Sequence, residues 1–307
     1  MRTALVGWPR TILHRAAHPW LLALVLSMVA PSVPVAAQTG AELTAGEQLY
    51  EIRLADGSLL IARVSSVDGD RVTLMTSGGT RVEVERSQIR DVRVAVGRII
   101  EGEFWREDVN SSRLFFTATG RSLEQGQGYV GTYLVVLPFV AVGVTDWFTV
   151  GGGAPVLFGE FEPFYLAPKL QLLRTEGAAV SVGALHFVFR GEGFDDGEDV
   201  GILYGVGTFG SDKNAVSLGL GFGYAGSDFS SQPVAMLGAE ARVSRRVKLI
   251  TENYFLPDDT GVVLTGGIRY VGERFAADIA LAGAAGDGDF GCCIPLLNFS
   301  YGFGRGR

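Results

Sequence analysis

The chain has 307 residues, 47% hydrophobic and 19% charged, with a net charge of −7, a balance that makes it a poor nucleic-acid binder. Its 43 glycines follow no G-X-Y repeat, which excludes collagen, and are too many for a helical protein, since each costs about 1 kcal/mol in a helix. The two cysteines, Cys292 and Cys293, are adjacent and lack the C-x-x-C interval of a zinc site.

Residues 1–37 read as a secretory signal peptide. Arg2, Arg10 and Arg15 precede an apolar run from Trp20 to Ala30, and Val35-Ala36-Ala37 offers small residues for cleavage. The run is shorter than the ~20 residues of a spanning helix, which favours cleavage over an uncleaved anchor. No cysteine stands nearby to carry a lipid. Loss of residues 1–37 removes three arginines and no acid, taking the net charge from −7 to −10. A flexible leader follows over 38–46.

Residues 47–97 form a separate unit of five short strands, at 50–54, 58–67, 71–76, 80–85 and 88–94. Turn residues at 55–57, 68–70 and 77–79 separate them. In Arg81-Val82-Glu83-Val84-Glu85 the strict alternation points the valines inward and the charges outward. The run LADGSLLIARVSSVDGDRVTL resembles the Sm-like and SH3-like small barrels, over about a sixth of the chain. RNA binding is not carried over, because seven arginines against eight acids leave no basic face. The plainer reading is a periplasmic structural or docking module, with a protein partner as one alternative.

After a connector at 98–111 containing Trp105, strand-length segments alternate with turns from residue 112 to 303, leaving a tail at 304–307. Twelve are expected: 112–119, 127–143, 147–158, 162–173, 178–190, 201–210, 214–225, 232–243, 247–256, 261–271, 275–284 and 294–303. Most match the roughly 9–11 residues of a membrane β-strand. Tight turns at 145–146, 175–177, 211–213, 244–246 and 272–274 alternate with longer connections at 120–126, 191–200, 226–231, 257–260 and 285–293. Only the short gap near Gly159 breaks the rhythm. The pattern predicts an all-β fold: an antiparallel up-and-down transmembrane-type barrel of about twelve strands, with ten the alternative. An even count puts both barrel ends, and residues 47–97, on the periplasmic side of an outer membrane.

Side-chain alternation gives the same expectation. Val216, Leu218, Leu220, Phe222 and Tyr224 share one face, with Ser217, Gly219, Gly221 and Gly223 on the other. Large apolar residues suit lipid, and small or polar ones the concave inside. Lys169, Gln171, Glu240, Arg242, Glu252, Arg269 and Asp278 are therefore the lumen-facing polar candidates, as a polar channel lining or as a salt-bridged filling. Tyr129, Trp147, Phe148, Phe164 and Tyr254 are candidates for the aromatic girdles at the membrane interface.

Leu297, Phe299, Tyr301 and Phe303 share one face of the last strand. It resembles the C-terminal aromatic strand by which the barrel-assembly machinery recognises its clients, departing in the trailing Gly304-Arg305-Gly306-Arg307. The segment NSSRLFFTATGRSLEQGQGYVGTYLVV, followed by GVTDWFTVGGG, resembles the opening of a widespread group of uncharacterised bacterial outer-membrane barrel proteins. That resemblance covers about residues 105–303 and implies fold and location, with outer-membrane lipid as the partner, and no activity.

No cofactor, metal or catalytic motif emerges, and a non-enzymatic channel or anchoring role is expected. His186, the one histidine after residue 37, lies near Ser181 and Ser217, but G-x-S-x-G is absent and a lone strand histidine is more often a packing residue. The acidic loop at 191–199 and Gly286-Asp287-Gly288-Asp289 do not fit the EF-hand pattern and read as solvated loops. Cys292 and Cys293 could form a vicinal disulfide or remain thiols. The remaining alternatives are an anchored partner-binding module, an exported soluble barrel with an apolar ligand cavity, and a lipid-modifying barrel enzyme.

Overall fold

The computed structural model describes residues 42–156, 163–189, 199–257, 261–286 and 289–304. The signal peptide, residues 38–41 of the leader, the acidic loop up to residue 198, Asp287 and the last three residues of the tail lie outside the described residues.

The first unit is an antiparallel sheet of β1 (Leu49–Leu54), β2 (Leu59–Asp68), β3 (Arg71–Thr76), β4 (Arg81–Glu85) and β5 (Ile89–Val94), in the order β4-β3-β2-β1-β5. One 3-10 turn, Arg86–Gln88, joins β4 to β5. Alternation buries Ile52, Val64, Val72, Leu74, Val84 and Val92 on one face. Each such side chain contributes about 1.5–3 kcal/mol by leaving water. A hairpin of β6 (Gly97–Ile100) and β7 (Glu103–Arg106) follows. Arg106 pairs with Glu51 of β1 and, at 4.0 Å, with Glu273 of the second unit.

The second unit is a closed barrel of twelve antiparallel strands. They are β8 (Gly128–Tyr133), β9 (Leu137–Gly143), β10 (Phe148–Gly153), β11 (Phe164–Arg174), β12 (Ala178–Val188), β13 (Val200–Gly210), β14 (Asn214–Ala225), β16 (Val234–Arg242), β17 (Val247–Leu256), β18 (Gly261–Val271), β19 (Phe275–Gly286) and β20 (Asp289–Phe303). The two-residue β15 (Asp228–Phe229) folds back on β14. Each strand pairs with the next long one, and Asn298–Phe303 of β20 pairs with Gly128–Tyr133 of β8 to close the ring. Closure leaves no edge with unpaired backbone groups, which is what allows strands to span lipid.

The strand count is twelve, but two of the expected strands are drawn differently. Residues 112–119 are not in the wall; they run inside the barrel. Residues 127–143 are two strands, β8 and β9, joined by a tight turn in which Val136 N–H donates to Tyr133 O. Leu134 and Val135 adopt left-handed conformations there, φ 50° and 68°. That geometry suits a tight hairpin turn and normally calls for Asn or Gly. Leu-Val-Val carries no such signal, so the sequence conceals the turn. Of the supposed long loop at 120–126, residues 120–123 belong to the interior segment and 124–126 are exposed before β8. Gly159 lies outside the described residues, between the end of β10 at Gly153 and the start of β11 at Phe164, and 134–136 is a short connection.

The wall is apolar outside. Leu220 is 54% exposed and Ile279 58%, and Leu166, Leu203, Leu218, Leu237, Leu249, Leu264 and Ile268 are likewise exposed. Among the described residues no helix is long and apolar enough to cross a membrane.

Candidate functional site: the occupied lumen

Strand alternation aims one side chain in two at the barrel axis, and these are the polar ones. Lys169 and Gln171 of β11, Glu240 and Arg242 of β16, Glu252 of β17, Arg269 of β18 and Asp278 of β19 are all buried. So are Thr149, Ser181, Thr208, Ser217, Lys248, Asn298 and Ser300. Isolated charges would be costly here, so partners decide the arrangement.

Most of those partners come from residues 108–123, which thread the barrel before β8 begins. Glu252 accepts backbone N–H bonds from Phe115 at 2.7 Å, Phe116 at 3.0 Å and Thr117 at 3.1 Å. Arg269 forms a fork with Asp278, through Nε at 2.7 Å and Nη2 at 3.0 Å. It also donates to Asp108 Oδ2 at 3.1 Å and to the carbonyls of Asn110, Arg113 and Leu114. Lys248 bridges Asp108 at 2.9 Å and Glu240 at 3.0 Å, and Arg121 pairs with the other oxygen of Glu240. The ammonium of Lys169 donates to the carbonyls of Ser112, Thr119 and Arg121. Charge-assisted bonds of this kind are the stronger class, and they catch the backbone of the inner segment from several sides.

Small residues of the wall make the room. A Cβ at Gly238 would collide with Leu114, and one at Gly302 would crowd Val109. Leu114 and Phe115 are fully buried against Val206, Met236, Ile250, Ala280 and Leu296, an apolar layer inside an otherwise polar interior. Arg113 lies 3.8 Å above the Phe139 ring centroid and also stacks on Tyr129 and Tyr133.

Two girdle candidates are elsewhere. Tyr129 is buried in the lumen, where its hydroxyl contacts Ser112 Oγ at 2.8 Å. Tyr254 shares the inward parity of Glu252 and hydrogen-bonds to it and to Thr117. Both fall on strands whose inward positions are enclosed by polar partners, so their rings serve the interior. Trp147 is exposed in the turn before β10. Phe148, opposite exposed Leu170, and Phe164, two residues before exposed Leu166, are on the outer parity. Leu297, Phe299, Tyr301 and Phe303 line the outer face of β20. Cys292 and Cys293 are joined by a disulfide in the same strand.

His186 sits on the outer face, where Nδ1 meets Tyr224 Oη at 2.6 Å and Nε2 lies 3.5 Å from Asp199. Ser181 and Ser217 point inward, to Gly120 O and Thr208. The sheet separates them from the imidazole, so these residues form no Ser-His pair. No cluster of potential metal ligands occurs among the described residues.

The sequence reading missed Asp108, Arg113, Arg121, Lys248 and Asn298. Lys248 was readable, since it shares the parity of Glu252. Asn298 was readable too, since it stands opposite the apolar face of Leu297 and Phe299. Asp108, Arg113 and Arg121 belong to the inner segment, which period-two reasoning treated as connector, wall and loop.

The barrel architecture is similar to a loop-deletion variant of OmpT, an outer membrane protein of Vibrio cholerae. Identity is 12%, covering 83% of this chain and 96% of that one, with a TM-score of 0.34. It is also similar to Pseudomonas aeruginosa OccK5, at 8% identity over 83% and 96% of the chains with a TM-score of 0.33. Salmonella typhi OmpF in complex with daunomycin matches at 8% identity over 83% and 95%, with a TM-score of 0.33. These values assign no activity. No protein-family model matches the chain, and no curated protein does.

Proposed function

We propose that this is an outer-membrane barrel of the bacterial envelope, closed by its own residues 108–123, which anchors a small periplasmic domain and does not conduct in the resting state. The observation that carries the reading is the capture of the inner backbone by Glu252 and Arg269, six hydrogen bonds in all. The apolar exterior and charged interior support a lipid surround and count against a soluble barrel with an apolar cavity. The signal-like N-terminus and the aromatic β20 fit export and delivery to the barrel-assembly machinery. The five-stranded unit, as a small SH3-like module, stands on the side of the barrel's chain ends, which suits a periplasmic docking role.

The test is planar-bilayer conductance of the full chain, alongside unheated and boiled gel mobility. Wild type should run as a heat-modifiable band and stay electrically silent. The E252Q/R269Q double variant should retain the band and show channel openings, because its inner segment is held more weakly. Steady conductance by wild type would replace the anchoring reading with a passive channel, and a soluble protein without a mobility shift would remove both.

A further inference from the structure

Between the β6–β7 hairpin and the mouth of the barrel at its chain-end side lies a polar cleft of about 340 Å³. Six cations and four acids line it, so its balance is positive before pairing is considered. Pairing then singles out Arg242 and Lys213, because Arg106 is taken by Glu51 and Arg121 by Glu240. Glu124 is taken by Arg174 at 3.1 Å and Asp212 by Arg98 at 3.6 Å, while Glu176 is exposed on its turn.

Arg242 and Lys213 have no carboxylate within ion-pair distance among the described residues. Arg242 is only 5% exposed, and its guanidinium meets carbonyls alone, those of Arg106 and Arg245. Its Nε is buried with no hydrogen-bond partner, and so is Ser122 Oγ, from another residue of the same cleft. A buried donor left unpaired costs about 1–3 kcal/mol, so such a group signals a missing acceptor. Both cations also flank one aromatic ring. Arg242 Cζ lies 5.5 Å and Lys213 Nζ 5.6 Å from the Trp105 centroid.

We propose that this cleft is a binding site for a small oxyanion, a carboxylate or phosphate group, held by Arg242 and Lys213 beside Trp105. A cation would meet Arg242 and Lys213, whose charged groups face a ring and carbonyls rather than a carboxylate. A guanidinium matches two oxygens of an oxyanion in one plane, and the flexible ammonium of Lys213 closes from the turn between β13 and β14. The site does not depend on whether the lumen conducts.

The test is calorimetric titration of the full chain in detergent with inorganic phosphate and, separately, with succinate. Saturable binding of either anion is expected, and the arm that binds identifies the oxyanion. Arg242→Gln should weaken it about tenfold or more, as for loss of a charge-assisted pair. Lys213→Ala should weaken it severalfold. Both variants should keep the heat-modifiable band. Lys213 is exposed, so its variant decides the matter if Arg242→Gln fails to fold. Absence of saturable binding at millimolar anion, or affinities unchanged in a folded variant, would overturn the proposal and leave the unpaired groups to water.

Discussion

The two β-units of this chain are built with opposite polarity. In the five-stranded sheet Ile52, Val72 and Leu74 are fully buried while Arg81, Glu83 and Glu85 face water. In the barrel Arg269, Lys248 and Glu252 are buried to the same degree while leucines and isoleucines face outward. The backbone rule is identical in both, one side chain in two to each face. What differs is the medium beyond each face. Water rewards burial of apolar surface in the sheet, whereas an apolar surround leaves the barrel to bring its charges together inside.

The largest effect that sharpens this contrast should come from Arg269→Gln. It leaves Asp278 without its guanidinium fork and strips one cation from Asp108. Removing one partner of a buried pair costs about 3–5 kcal/mol. The barrel should lose its heat-modifiable band at markedly lower urea, with the sheet unaffected. The double variant R269M/D278L should lie closer to wild type than R269Q, because it removes both charges. If R269Q unfolds at wild-type urea, the charged interior does not hold the barrel.

The apolar core gives the mirror experiment. Leu74→Ala should destabilise the five-stranded unit by about 2–5 kcal/mol, the range for truncating a buried leucine. Limited proteolysis should cut within residues 49–94 while the barrel band stays unchanged. A matching loss of the barrel band would show that the two units fold as one.

A smaller effect should follow at the outer face. Leu220→Arg, in the middle of β14, should cost about 2–4 kcal/mol if the face meets hydrocarbon. Glu83→Arg, at an exposed position of β4, should change stability by less than about 0.5 kcal/mol. Folding into lipid vesicles from urea reads both variants. A neutral Leu220→Arg would mean that water, not lipid, covers that face.

This polarity was largely legible from alternation, because period two and the choice of apolar face are local properties. Arg269 shares its parity with Thr265 and Gly267, Asp278 with alanines and Glu240 with Gly238 and Arg242, each opposite an apolar face, so their direction needed no partner to be known. The inner segment was not legible. Residues 112–119 have the length of a strand and no feature marking them as interior, since most of what holds them lies fifty or more residues away, on β11, β17, β18 and β20. The twelve-strand count was reached with that segment standing in for a wall strand and with β8 and β9 read as one, because Leu134 and Val135 turn without a turn residue. The role of Tyr129 escaped for the same reason, whereas Tyr254 was readable from the parity it shares with Glu252. An aromatic near a strand end reads alike whether it faces lipid or a plugged lumen.

The smallest effect should be at Asp56, the solvated counterpart of Glu252. Both carboxylates accept backbone N–H groups, but Asp56 sits exposed in the β1–β2 turn, where Ser58 N–H reaches Oδ1 at 2.8 Å. That bond from Ser58 favours the charged form and holds the Asp56 carboxyl below its ordinary range. The unfolded chain titrates near about 3.9. A depressed folded value means that the added stability is present above the unfolded value and fades as pH falls through the folded one. Urea unfolding of the sheet, followed from about pH 6 down to about pH 2, should therefore show a slight decline that Asp56→Asn removes. The amide keeps an oxygen for Ser58, so stability near neutral pH should barely change. Water screens an exposed carboxylate and competes for its partners, whereas Glu252 has only the inner backbone and its neighbours to turn to. An effect at Asp56 comparable to that of Arg269→Gln would therefore break the comparison, because burial would no longer be what separates the two units.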